Sequence, residues 1–134
     1  MIVDTSALLA IIYGEPEAES FARLILAEST PAMAAVTYLE AALKLDGDLK
    51  KPLGPRLDDT IAMLGLGTLS FTAEHARLAR QAAKQFGKGN HPAKLNFGDC
   101  IVYATAQLAN RPLLFKGNDF SQTDLVPAIS KDNP

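Results

Sequence analysis

Met1-Ile2-Val3-Asp4-Thr5-Ser6-Ala7-Leu8-Leu9-Ala10-Ile11-Ile12-Tyr13-Gly14 opens the chain, and its reading decides the fold. Ile2 and Val3 suffice for a short buried strand, and an acid stands where that strand runs out. The apolar run behind it is long enough for a helix that Gly14 closes, with Thr5 or Ser6 as its cap. The same alternation recurs downstream. Pro16 suits the first turn of a second helix in which Phe21, Leu24 and Ile25 are the apolar positions. Residues 31–36 read as an Ala-rich strand, and Thr37 starts a helix to about Leu45. Asp46-Gly47-Asp48 and Pro52-Leu53-Gly54-Pro55 interrupt the pattern, and Leu57, Ile61 and Leu64 mark another helix.

Gly65-Leu66-Gly67 reads as a turn and 68–71 as a strand. Thr72 and Glu74 open a long helix whose apolar side holds Ala76, Leu78, Ala79, Ala82, Ala83 and Phe86. Residues 87–94 form a loop. The stretch 97–109 is apolar nearly all round, which predicts a buried central helix. Residues 113–115 read as a strand, and Leu125-Val126 as a last short one. Strands alternating with helices call for an α/β sandwich around a small, mostly parallel sheet.

At 134 residues the chain reads as a single domain, 1–134, large enough for a substantial core. A hydrophobic fraction of 48% and a charged fraction of 21% are ordinary for a globular protein. No apolar run approaches the ~20 residues that span a bilayer, and Asp4 interrupts any signal-peptide pattern, so a cytoplasmic location is expected. The lone cysteine, Cys100, excludes an internal disulfide and a thiolate-rich zinc site. The net charge of −2 provides no general attraction to nucleic acid, although carboxylates that ligate a cation would invert the local field.

Four acids stand apart from the rest. Asp4 ends a strand, Glu40 follows Thr37-Tyr38-Leu39, Asp99 lies in Asn96-Phe97-Gly98-Asp99-Cys100, and Asp119 lies in Gly117-Asn118-Asp119-Phe120. Each has a structural alternative: Asp4 as a helix cap, Glu40 paired with Thr37 and Asp99 with Asn96 in capping boxes, and Asp119 in an Asx turn. Taken together they occupy strand ends and first helical turns, where a parallel sheet gathers its loops on one face. Buried carboxylates are costly unless they share a cation, and an all-oxygen set selects Mg²⁺ or Mn²⁺ over zinc. Such an ion activates water and neutralises a phosphate oxygen. An aspartyl-phosphate mechanism would want a second acid two residues after Asp4, where Ser6 stands.

The stretches Val3-Asp4-Thr5-Ser6-Ala7-Leu8, Thr37-Tyr38-Leu39-Glu40-Ala41, Asn96-Phe97-Gly98-Asp99-Cys100 and Leu114-Phe115-Lys116-Gly117-Asn118-Asp119-Phe120-Ser121-Gln122-Thr123-Asp124 closely resemble the PIN domain. Within that family they resemble the VapC ribonuclease toxins, in order from Met1 to about Val126. The resemblance implies a PIN-like three-layer α/β/α sandwich and a Mg²⁺- or Mn²⁺-dependent endoribonuclease. It also implies RNA as substrate, a VapB-like antitoxin as partner, and a homodimer. Asp4, Glu40, Asp99 and Asp119 match the family's catalytic acids, with Asp4, Asp99 and Asp119 nearest the metal. Water attack on the phosphodiester would leave a 5′-phosphate and a 3′-hydroxyl. The fourth position is shared among Asn118, Asp119 and Asp124, with Asp119 preferred and Asp124 as an outer-shell residue. Thr5 or Ser6 would orient a carboxylate or a water. A PIN nuclease without an antitoxin, or a PIN-like module that binds RNA or a partner without cutting, is the alternative.

Basic residues are few near the acids. Lys88, His91 and Lys94 make a basic loop leading toward Asp99, and Lys116 is the candidate phosphate contact. Tyr103 and Cys100 read as core, and His75 as a surface residue. The stripes Leu8, Ile11, Ile12 and Phe21, Leu24, Ile25 exceed what one sheet face absorbs, which suggests a groove for a partner helix or a dimer interface.

Overall fold

The computed structural model describes residues 1–89 and 91–129; Asn90, in the predicted 87–94 loop, and residues 130–134 lie outside them. The elements run β1 (Ile2–Val3), α1 (Thr5–Ile12), α2 (Ala18–Leu26), β2 (Ala32–Ala34), α3 (Ala35–Gly47), α4 (Arg56–Leu64), β3 (Gly67–Leu69), α5 (Ala73–Phe86), α6 (Phe97–Ala109) and β4 (Leu113–Leu114). The four strands form one sheet in the order β3-β2-β1-β4, every pair parallel.

Strand residues alternate between faces, and that alternation builds the layers. Ile2 pairs with Ala32 and Leu113, and all three point into one core with Phe86, Ile101 and Val102 of α5 and α6. Val3, Met33 and Leu114 point into a second core with Leu8, Ile25, Leu45 and Leu64 of α1 to α4. A sheet whose strands β1, β2 and β4 are buried between helices is the α/β/α sandwich that the sequence predicts. Among the described residues no helix is long and apolar enough to cross a membrane.

Several expectations are corrected. The cap of α1 is Asp4, not Thr5 or Ser6, and α2 begins at Ala18, two residues past Pro16. Strand β3 covers Gly67–Leu69 and leaves Phe71 outside it, exposed. Leu125-Val126 forms no named strand; an isolated parallel bridge joins Leu113 to Pro127, with the Leu113 amide donating to the Val126 carbonyl at 2.9 Å. Of the apolar stripes of α1 and α2, Leu8, Ile12, Phe21 and Ile25 are buried in the core they share with Leu57 and Leu64 of α4, while Ile11 and Leu24 are only partly covered.

The largest correction concerns α3. It starts at Ala35, directly after β2, with Ala34 as a cap that supplies no side-chain hydrogen bond. Nothing in the Ala-rich stretch punctuates the transition, because alanine favours helix and three strand residues already complete the pairing. Thr37 is therefore inside the first turn and does not cap Glu40. Its side chain is fully buried and its hydroxyl has no hydrogen-bond partner among the described residues. An unpaired buried hydroxyl costs about 1–3 kcal/mol. Thr37→Val keeps the shape and removes that cost, so it should raise the melting temperature by a few degrees, corresponding to about 1 kcal/mol. Calorimetry checks this, and a lowered melting temperature would mean that the hydroxyl has a partner in solution.

Candidate active site

The carboxyl ends of β1, β2 and β4 and the N-terminus of α6 meet on one side of the sheet. Asp4 ends β1, is 7% exposed, and donates its amide to the Leu114 carbonyl at 2.9 Å. Its Oδ2 accepts from the Ser6 amide at 3.1 Å and the Ser6 hydroxyl at 2.6 Å. The Ser6 hydroxyl in turn accepts from the Lys116 amide at 2.9 Å, which stitches the segment after β4 to the start of α1. Thr5, one residue earlier, donates its hydroxyl to Oε1 of Glu40 at 3.1 Å. Thr5 and Ser6 thus each orient a different carboxylate.

Asp99 opens α6. Its Oδ2 accepts from the Asn96 amide at 3.1 Å while Asn96 Oδ1 accepts from the Asp99 amide at 2.9 Å, a complete capping box. Capping and site membership are compatible here, because a carboxylate has about four acceptor positions and the cap occupies one. Between Phe97 and Asp99, Gly98 has no side chain for a specific reason: a Cβ there would collide with Oε2 of Glu40. Glu40 therefore rests against the first turn of α6. Asp119 is exposed in the segment following β4.

The acids act on one another. Burial pushes the Asp4 carboxyl up from its ordinary value, the Ser6 and Thr5 contacts oppose that rise, and the charge of Asp119 adds to it. Glu40 is raised by burial, opposed by Thr5, with the charge of Asp4 adding. Asp99 is pushed up to about 6 by burial, opposed by the Asn96 amide, with Asp4, Asp119 and Glu40 all adding. Every side-chain charge acting on Asp99 is thus negative, the arrangement that a cation would relieve.

The donor set is oxygen alone, which suits a hard divalent cation. Among the described residues, no three Asp, Glu, His or Cys side chains are gathered closely enough to cage an ion. The residues fit a hydrated ion, since Mg²⁺ keeps several waters and needs one or two carboxylates. Asp4 and Asp99 could supply those carboxylates, with Asp119 beside them.

The remaining candidates have other partners. Lys116 presents its amide to Ser6, while its ammonium is paired with Glu15 and, at 2.8 Å, with Glu17. Those acids raise its pKa, and its charge is engaged away from a phosphate. Asn118 accepts from the Ser121 amide and hydroxyl through its carbonyl. Asp124 accepts from the Tyr103 hydroxyl at 2.5 Å, one turn along α6 from Asp99. Burial and that bond hold the phenol at about 12. From this segment, the charge that acts on Asp4 and Asp99 is that of Asp119. His75 does more than face solvent: with Thr72 it completes the capping box of α5. His91 Nδ1 accepts from the Ala93 amide at 3.0 Å and its ring packs edge-on against Phe86. Sequence reasoning missed Gly98, Glu15 and Glu17, because their partners are distant along the chain.

Comparison with known proteins adds four findings. The PIN domain family matches residues 1–126. Ribonuclease VapC36 of Mycobacterium tuberculosis is 47% identical over 129 residues, covering 93% of this chain and 91% of that protein. Among solved structures, VapC20 of M. tuberculosis, described as a sarcin–ricin loop cleaving toxin, superimposes with a TM-score of 0.74 at 16% identity, over 93% of this chain and 95% of its own. VapBC2 of Rickettsia felis, solved with a promoter DNA fragment, superimposes with a TM-score of 0.72 at 12% identity over 94% of both chains.

The raised Asp99 pKa makes stability pH-dependent. The folded state holds a proton on Asp99 up to about pH 6, whereas the unfolded chain releases it near 3.8. Stability from this group is therefore fully present below the unfolded value and is lost as pH rises through 6. Metal-free protein should be about 1 kcal/mol more stable at pH 5 than at pH 7.5, a figure reduced for the partial exposure of the group. Asp99→Asn should flatten that slope, because an amide cannot titrate. Urea titrations at the two pH values check both, and an unchanged slope in the variant would remove Asp99 as its source.

Proposed function

The chain belongs to the PIN-domain family and, within it, to the VapC ribonucleases, and from that premise we propose that it is an endoribonuclease toxin that cuts RNA with a divalent metal ion at the Asp4–Glu40–Asp99–Asp119 cluster. The observation that carries the metal-dependent reading is the concentration of negative charge at Asp99. A capping residue alone needs no second acid near it, and three acids contribute here.

When bound, Mg²⁺ or Mn²⁺ supplies charge to a non-bridging phosphate oxygen and acidifies a water for in-line attack. The chain's own residues do the positioning. Asp4, held by Ser6, and Asp99, held by Asn96, present carboxylate oxygens at fixed angles. Glu40, steered by Thr5 and accommodated by Gly98, would orient the attacking water or take its proton. Attack at phosphorus with departure of the 3′ oxygen leaves a 5′-phosphate and a 3′-hydroxyl. Asp119, exposed beside these acids, would complete the set of residues that hold the ion.

The regulatory partner proposed is a VapB-like antitoxin, supported by the family and by a structural neighbour solved as VapBC2. Leu39 and Leu43, one turn apart on α3, and Met63 on α4 are large exposed apolar residues available to it. A homodimer is part of the same reading.

Purified protein should release discrete fragments from total RNA with Mg²⁺ or Mn²⁺ and none with EDTA. Asp4→Asn and Asp99→Asn should lower the rate by about a hundredfold or more while circular dichroism stays unchanged. Gly98→Ala should cost about 10–100-fold by displacing Glu40, with the fold again intact. Cleavage that survives EDTA, or that both Asn variants retain, would overturn the metal mechanism. Absence of cleavage and of calorimetric metal binding in the wild type would favour the non-cutting module.

A further inference from the structure

We infer that the groove between α5 and the N-terminal end of α6 binds an unstacked nucleobase of single-stranded RNA and its neighbouring phosphates, next to the cutting site; this rests on the ribonuclease reading above.

The groove has a volume of about 800 Å³. Its floor is small and apolar, with Ala79 and Ala83 of α5 facing Cys100 and Ile101 of α6. Two aromatic rings border it, Phe71 at 43% exposure and Phe97 at 83%. Phe97 is the first residue of α6 and is separated from Asp99 only by Gly98. A phenyl ring held so far into solvent at the first residue of a helix contributes little to the core. Arg80 and Lys88 also line the groove, no carboxylate does, and neither cation is ion-paired among the described residues.

Those features match one kind of occupant. The acid cluster repels RNA until metal arrives, and Lys116 is occupied by Glu15 and Glu17. Cationic groups beside the cluster are what the substrate needs for docking. An aromatic face gives sequence-tolerant stacking to a base, provided that base is free of its own helix. Arg80 and Lys88 then meet the phosphates on either side. A second copy of the chain fits the groove less well. A two-fold interface sets a patch against itself, and this patch would oppose Arg80 and Lys88 to like charges with no acid between them.

The test is fluorescence anisotropy in EDTA with a labelled twelve-residue single-stranded oligoribonucleotide and the same strand in duplex, for wild type, Phe97→Ala, Phe97→Tyr, Arg80→Gln and Lys88→Gln. Phe97→Ala should weaken single-strand binding about tenfold, and Phe97→Tyr should retain it. Each cation variant should lower the salt-dependence slope by about 0.7. Duplex binding should be weaker than single-strand binding and indifferent to Phe97. Phe97→Ala with wild-type affinity overturns the inference. So does Phe97→Ala that lowers the oligomeric state in light scattering while each protomer binds as before, which would assign the groove to a second copy. A parallel cleavage assay separates the two readings. Cleavage by wild type and Phe97→Ala at equal rates removes only the groove. Phe97-dependent binding without any cleavage removes only the nuclease.

Discussion

Everything at the functional end of this molecule depends on keeping a carboxylate out of water at the end of β1. Asp4 is nearly inaccessible, and its burial raises its pKa more than its hydrogen bonds lower it. That cost is incurred in a fold whose central sheet has only two or three residues per strand. The surrounding structure offsets it with donors: the Ser6 amide and hydroxyl hold one oxygen of Asp4, and the Lys116 amide holds Ser6. The charges of other acids act on Asp4 and Asp99, which increases the repulsion. An arrangement that accumulates like charge and removes solvent is disfavoured as architecture, and a bound cation would relieve it.

The fold was legible where periodicity and punctuation agreed. The central helix was placed at 97–109 because the stretch is apolar nearly all round, and α6 has those bounds, with Asn96 as its cap. The alternation of Ile2 with Val3 and of Leu113 with Leu114 likewise follows from side-chain geometry. Legibility failed where composition was uniform. Nothing between Ala32 and Thr37 marks the passage from strand to helix, so α3 began two residues earlier than expected, and the proposed Thr37–Glu40 pairing vanished with that shift.

Within the site, Asp4 and Asp99 stand at element boundaries that the sequence marks, whereas the earlier start of α3 puts Glu40 in its second turn. The partners of the acids could not be read. Thr5 and Glu40 are 35 residues apart, and Ser6 and Lys116 are 110 apart, so no local pattern announces either pair. Lys116 shows the same limit from the other direction. Its closeness to Asp119 suggested a phosphate contact, while the fold supplies it with Glu15 and Glu17 from the turn between α1 and α2. His75 closes a capping box in which Glu or Gln is the usual third residue, so the motif was hidden by its spelling.

The junction Asp4-Thr5-Ser6 has a consequence for how such a chain can change over generations. Three successive residues end a strand, reach across to a helix from another part of the chain, and anchor the segment that follows β4. One added or deleted residue there would turn each of these side chains toward the wrong neighbour, because helical residues advance by about 100° each. No compensating substitution elsewhere restores three bonds at once. The chain can therefore drift in the connection between α3 and α4, where Leu49 is almost wholly exposed. Length at the strand–helix junction is held by all three bonds together.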